Sequence, residues 1–215
     1  MNQKLYNCVF IKSILMLLVI LYHSTVFWNG NWFTVEPVAF QSTILGVFSQ
    51  WLNSFHIYAF ILVSGYIFAF KMSGGGGYPS YIEFLKNKAK RLLLPYAFVA
   101  VVWVIPISQF FNHSSAGDIL KQYVLCINPS QLWFLWMLFW IFTLAWPLWK
   151  WLSSSFVKCI LVSLVFYVIG LIGGQIIPNI FCFWTALRYV PFFCMGIQIW
   201  MQQKNVSKLR NQNNE

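Results

Sequence analysis

Two residues in the segment "KSILMLLVILYHS" (residues 12–24) carry chemistry that an apolar run does not need: Lys12 and His23. They are eleven positions apart, so on a helix they share one face, about 16 Å apart along the axis. A second histidine, His56, sits in "FHIYAFILVSGY" (residues 55–66), and Arg188 sits in "FWTALRYVPFF" (residues 183–193). An imidazole titrates near pH 6.5 and suits a general base, whereas lysine and arginine suit anion binding. Two histidines at a similar depth are compatible with a proton-transfer pair, a metal site or hydrogen bonds between helices. Metal is the weakest of the three, because no carboxylate or thiolate accompanies them at ligand spacing and only Glu36 lies nearby. Arginine inside a span costs about 2.5–3.5 kcal/mol at the helix centre and less toward the interface, so Arg188 calls for an anionic or polar partner. His113 falls in a polar segment and reads as solvated.

The elements that hold these residues are membrane helices. The chain has 215 residues, 60% hydrophobic, 20% aromatic and only 8% charged, against about 25% charged in a soluble domain. Apolar runs of spanning length recur throughout and are continuous rather than alternating, which favours helices over a β-barrel. The fold class expected is all-α, a polytopic bundle with spans near 9–28, 47–70, 93–111, 131–149, 157–177 and 182–201, the first retained rather than cleaved. Twelve of the basic residues, Lys4, Lys12, Lys71, Lys86, Lys88, Lys90, Arg91, Lys150, Lys158, Lys204, Lys208 and Arg210, fall at one set of ends. The positive-inside rule then puts both termini in the cytoplasm. The net charge of +10 is what loops beside anionic lipid carry, so the partner is the bilayer and not nucleic acid.

The interface tryptophans expected are Trp28, Trp32, Trp51 and Trp184 outside and Trp149, Trp151 and Trp200 inside. The five cysteines show no metal spacing; Cys126 and Cys182 alone come near the outer face, where pairing is open. "GGGGYPS" (residues 74–80) reads as a turn. The stretch "YIEFLKNKAKRLLLPY" (residues 81–96) reads as a short interfacial helix feeding the third span, with Ile82, Leu85 and Ala89 opposed to Lys86, Lys90 and Arg91. No internal repeat stands out, and the spans hold almost no acidic residues, which weighs against an ion-coupled pump.

Four stretches in this order resemble the bacterial acyltransferase 3 family, membrane O-acetyltransferases of cell-surface sugars. They are a basic residue, ten residues and then His-Ser in the first span; "FHIYAFILVSGYIF"; the basic "FLKNKAKRLLLPY"; and "LWFLWMLF" (residues 132–139). "RYVPFFCMGIQI" (residues 188–199) is similar to a later family helix. Two departures stand out: Lys12 replaces the usual arginine, and the family's Arg-x-x-Arg appears as Lys88-Ala89-Lys90-Arg91. Charge is kept while two-pronged phosphate gripping is weakened. Family members commonly have about ten spans, so this chain reads as a short or truncated member, with a membrane domain over 1–201 and a polar cytoplasmic tail over 202–215.

The resemblance implies an acyl-CoA co-substrate, acetyl-CoA in most of the family, arriving from the cytoplasm, with no bound cofactor and no metal. Lys12, Lys88, Lys90 and Arg91 would hold its phosphates, and His23 with His56 would be catalytic. Arg188 and Glu36 would lie on the acceptor side, where a surface glycan or lipid-linked sugar waits outside a bacterial inner membrane. A second chain or an oligomer supplying further helices fits the short length. The rival readings are an exporter of a small polar or lipid-linked molecule, and an inactive fragment.

Overall fold

A computed structural model describes residues 3–25, 28, 40, 42–74, 77 and 80–212. Among them the regular structure is helical. The elements in order are α1 (Gln3–Thr25), α2 (Thr43–Met72), α3 (Tyr81–Val99), α4 (Ile105–Asn112), α5 (Ala116–Ile119), α6 (Trp133–Ala145), α7 (Trp149–Ser154), α8 (Phe156–Ile176) and α9 (Phe183–Gln212). Serine side chains cap three of them, Ser42 accepting from the Leu45 N–H at 3.3 Å, Ser80 from the Glu83 N–H at 3.2 Å and Ser115 from the Asp118 N–H at 3.2 Å, because the first N–H groups of a helix lack internal partners.

Among the described residues, five helical stretches are long and apolar enough to cross a membrane: Tyr6–Thr25, Thr43–Met72, Tyr81–Phe110, Phe156–Ile176 and Ile180–Ser207. The segment expected as the fourth of six spans is a 13-residue helix, α6, entered through a three-residue 3-10 turn, Ser130–Leu132. At 1.5 Å per residue that falls short of a bilayer's hydrocarbon core, about 30 Å. The helix expected over 81–96 does feed the third span, and no break separates the two. It is the first half of one long helical path, α3 passing through a π-helical turn at Ala100–Val104 into α4. Pro95 lies inside α3 without ending it. Ile82 of the expected apolar trio is 64% exposed, as a lipid-facing residue would be, while Phe84, outside that trio, is 1% exposed and enters the core. The tail expected from residue 202 continues α9 to Gln212. The glycine turn falls largely on residues outside those described, as do Trp32 and Glu36.

Helices α1, α2, α9 and α8 neighbour one another in that spatial order, and α6 packs on α9 and on α3. The last long helix in sequence is thus the central one in space. Glycines allow this. A Cβ at Gly65 would strike the Phe193 carbonyl oxygen, and one at Gly196 would strike the Leu62 carbonyl oxygen, so α2 and α9 touch backbone to backbone. Where lipid replaces water, such close packing of small residues is a main source of helix association. The aromatic core lies between this row and α6, with Phe68, Phe142 and Phe193 mutually 5.4–6.1 Å apart by ring centroid. Outward faces carry exposed apolar side chains such as Phe10, Leu17, Val157 and Leu164, as lipid contact requires. Trp200, expected at the inner interface, is buried and donates from Nε1 to Ser73 Oγ at 3.0 Å.

The contact between α2 and α9 makes a direct prediction. Gly196→Leu should destabilise the folded protein in detergent by about 1–3 kcal/mol or more, since a side chain there must push two backbones apart. Gly117→Ala, whose Cβ would meet only Ser115 Oγ at 3.7 Å, should melt like wild type. Equal melting of Gly196→Leu and wild type would mean that α2 and α9 are not in backbone contact.

Candidate functional site

On the side that the charge pattern assigns to the cytoplasm, called inner below, α1, α2 and α3 line a cavity of about 310 Å³. Four cations line it: Lys12 from α1, Lys71 from α2, and Lys88 and Arg91 from α3. Lys88 and Arg91 share a helix face by their three-residue spacing. Lys90 is exposed and is not part of the lining, so three of the four expected cations come together and the fourth does not. Lys71 is a cation that the sequence reading left unassigned. It lies seven residues after Ser64, which also lines the cavity, a spacing that marks one face of a helix.

Aromatic rings form the floor. The Lys88 Nζ lies 3.5 Å from the Phe142 ring centroid and 5.3 Å from that of Phe84, and the Lys12 Nζ lies 5.0 Å from that of Phe60. A ring face attracts a cation with about 2 kcal/mol or more once water is excluded. Lys12, Lys71 and Arg91, which line the cavity with Lys88, are all positive, and no carboxylate joins them in the lining among the described residues. The cavity therefore concentrates positive potential with rings rather than carboxylates beneath it.

Along the α1–α2 seam toward the outer side, Tyr22 packs against both histidines. Its ring centroid is 5.1 Å from that of His23 and 4.9 Å from that of His56. His56 is 2% exposed, and its Nδ1 lies 2.6 Å from the Leu52 carbonyl oxygen. A carbonyl only accepts, so Nδ1 carries the proton and donates it, which in the neutral ring leaves the lone pair on Nε2. His23 is half-buried on the last turn of α1. The structure thus brings the two expected histidines to one phenol. Among the described residues no group of three histidine, cysteine, aspartate or glutamate side chains gathers as a metal site would require.

A second cavity, about 600 Å³, lies at the opposite end of the bundle, called outer by the same assignment. Tyr58 from α2, Trp133 from α6, and Arg188 and Tyr189 from α9 line it, but neither histidine does. Residue 58 lies about 200° around α2 from residue 56, so the histidines and this cavity occupy opposite flanks of that helix. Arg188 is held there by α8: its Nε donates to the Gly170 carbonyl at 3.1 Å. Asn179 secures the entry to α9, accepting from the N–H groups of Trp184 and Thr185 at 2.9 and 3.4 Å and donating to Thr185 Oγ1 at 2.7 Å. Glu36, the other residue expected on this side, lies outside the described residues.

The rim joins two loops. Phe181 N–H donates to the Leu125 carbonyl at 2.8 Å, Cys182 Sγ donates to the Cys126 carbonyl at 3.3 Å, and Tyr96 O–H donates to the Tyr123 carbonyl at 2.7 Å. Cys126 and Cys182 are both buried free thiols. Burial pushes the Cys126 thiol up from its ordinary range, outweighing the opposite pull of the Tyr96 hydroxyl bonded to it. Thiolate is the reactive form, so native Cys126 should resist maleimide at neutral pH. After denaturation without reductant, both cysteines should alkylate fully by peptide mass spectrometry; a linked Cys126–Cys182 peptide would contradict this rim.

The model of a family described as an acyltransferase domain matches residues 9–213. Comparison with curated proteins and with solved structures gives no match.

Proposed function

The chain belongs to this family of acyltransferase domains, and from that premise we propose that it moves an acyl group, acetyl in the family's usual reaction, from acyl-CoA to a hydroxyl of a surface polysaccharide or lipid-linked sugar. The observation that carries the reading is the inner cavity, where Lys12, Lys71, Lys88 and Arg91 converge over aromatic rings. A CoA presents a diphosphate and a further phosphate, and several converging cations are what such a polyanion needs. Arg91 grips phosphate with a planar fork, whereas the lysines act as point charges. Lys90 adds to the field from outside the lining.

From Lys12 to His23 the seam is about 16 Å long, of the order of an extended pantetheine arm. The thioester then arrives at the level of the histidines. His23 takes the proton from the acceptor hydroxyl, the oxygen attacks the thioester carbonyl, and the carbon–sulfur bond breaks to release the CoA thiol with a proton returned to sulfur. His56, its Nδ1 proton committed to Leu52, offers Nε2 as a second acceptor at the same level. In this reading acyl-CoA is a co-substrate from the cytoplasm, both termini are cytoplasmic, and the protein works in a bacterial inner membrane.

Two experiments test it. Purified protein titrated with a non-hydrolysable acyl-CoA analogue should bind, and Arg91→Gln and Lys71→Gln should each weaken binding by about tenfold, the scale of one lost charge-assisted hydrogen bond. His23→Gln should bind the analogue normally while transfer falls about 10²-fold or more. Unchanged affinity in both cation variants would return the cluster to an ordinary positive-inside role. For topology, a cysteine at Ser80 should label from the cytoplasm and one at Asn128 from outside, the native thiols being buried; the reverse pattern would exchange donor and acceptor sides.

A further inference from the structure

Among the described residues, the charge in the outer cavity meets no carboxylate. Arg188 makes one hydrogen bond among the described residues, through Nε, and within that set both terminal amino groups of the guanidinium have no hydrogen-bond partner. A half-buried arginine on a membrane helix is expensive unless an anion or dipole answers it. The position of that group is set by α8: a Cβ at Gly174 would come within 2.5 Å of Arg188 Nη2.

The walls have a second character. Tyr58 stacks on Tyr189 at 5.6 Å and Trp133 packs on Tyr189 at the same centroid distance, giving three adjoining rings beside the guanidinium. The C–H face of a pyranose is apolar and slightly positive, and it packs on the negative face of an aromatic ring. The volume, about 600 Å³, is that of a small-molecule site. The rim adds an independent sign, because three lining residues that are not glycine, Asn128, Ser130 and Cys182, are held at φ of 55°, 48° and 55°. Such costly conformations cluster at binding sites.

We propose that this cavity binds an anionic saccharide, with the Arg188 guanidinium on its carboxylate and Tyr58, Trp133 and Tyr189 against its ring. The inference rests on the acyltransferase reading only in naming that sugar as part of the acceptor. Because α2 separates the cavity from His23 and His56, the sugar held here is a neighbour of the one acylated, and the acceptor carries at least two sugar units, one of them charged.

Binding to the full chain in phosphatidylcholine nanodiscs tests this, since a maltoside detergent would itself present glucose rings. The probes are methyl glucuronide, neutral methyl glucoside and glycerol phosphate, followed by saturation-transfer NMR. Methyl glucuronide should bind about tenfold tighter than methyl glucoside, the scale of one charge-assisted hydrogen bond. Arg188→Gln should abolish that difference. Gly174→Ala should do the same while keeping the fold, because its methyl displaces only the tip of a flexible side chain. Both variants should keep the wild-type melting temperature and acyl-CoA analogue affinity, so a failure of sugar binding is read apart from a failure of the donor site. Equal binding of the two glycosides by wild type, or a preference for glucuronide that survives both substitutions, overturns the proposal. Binding of glycerol phosphate without glucuronide also overturns it, and identifies a phospholipid headgroup site instead.

Discussion

Close backbone contact around α9 is the constraint on which the rest depends. Gly65 and Gly196 bring α9 against α2, and Gly170 and Gly173 bring it against α8, where Cβ atoms would meet Leu187 and the Trp184 ring. With α9 fixed between two neighbours, Phe193 enters the core beside Phe68 and Phe142, while Arg188 and Tyr189 turn toward the outer cavity. Lipid offers little hydrophobic drive for one helix to prefer another, so van der Waals fit must supply it. The same fit holds α2, and through α2 the seam with α1 that carries Lys12 and both histidines.

Charge is the second organising quantity. Four acidic residues face fourteen lysines and arginines in this sequence. Cations drawn into the two cavities find rings and carbonyl oxygens around them: Phe142, Phe84 and Phe60 for the lysines, and the Gly170 carbonyl for Arg188. Rings and carbonyls moderate a cation's desolvation without neutralising it. Both cavities are thereby suited to anions, one at each end of the bundle, and a transferase that takes a polyanionic donor on one side and an acceptor on the other uses such an arrangement directly.

Much of this was legible in the sequence, and the rest was hidden for specific physical reasons. The helical membrane class follows from apolar runs, and the shared face of Lys12 and His23 follows from their spacing. Similar depth placed His23 and His56 at one level, but their meeting at Tyr22 was not legible, since depth does not fix rotation about a helix axis. Lys71 looked like one more inside-facing lysine, and only its seven-residue spacing from Ser64 hinted that it points inward. Residues 81–96 looked interfacial because Lys86, Lys88, Lys90 and Arg91 dominate the composition, yet Phe84 and Lys88 face Phe142, and that side makes the segment part of a longer helix. The outer cavity was the least visible. Its lining comes from four helices and two loops, and of the whole set only Arg188 stood out as a polar residue in an apolar run.

The central claim is that a donor anchored by the inner cations delivers its acyl end along the α1–α2 seam to the histidines. Photo-crosslinking with an acyl-CoA whose acyl group carries a diazirine tests this most directly, with adducts mapped by peptide mass spectrometry and competed by unlabelled acyl-CoA. The account predicts competable adducts on α1 around Tyr22 and His23 and on α2 around Leu52 to Phe60. Competable adducts confined to residues 71–91, with the seam unlabelled, would place the acyl end at the inner surface and contradict it.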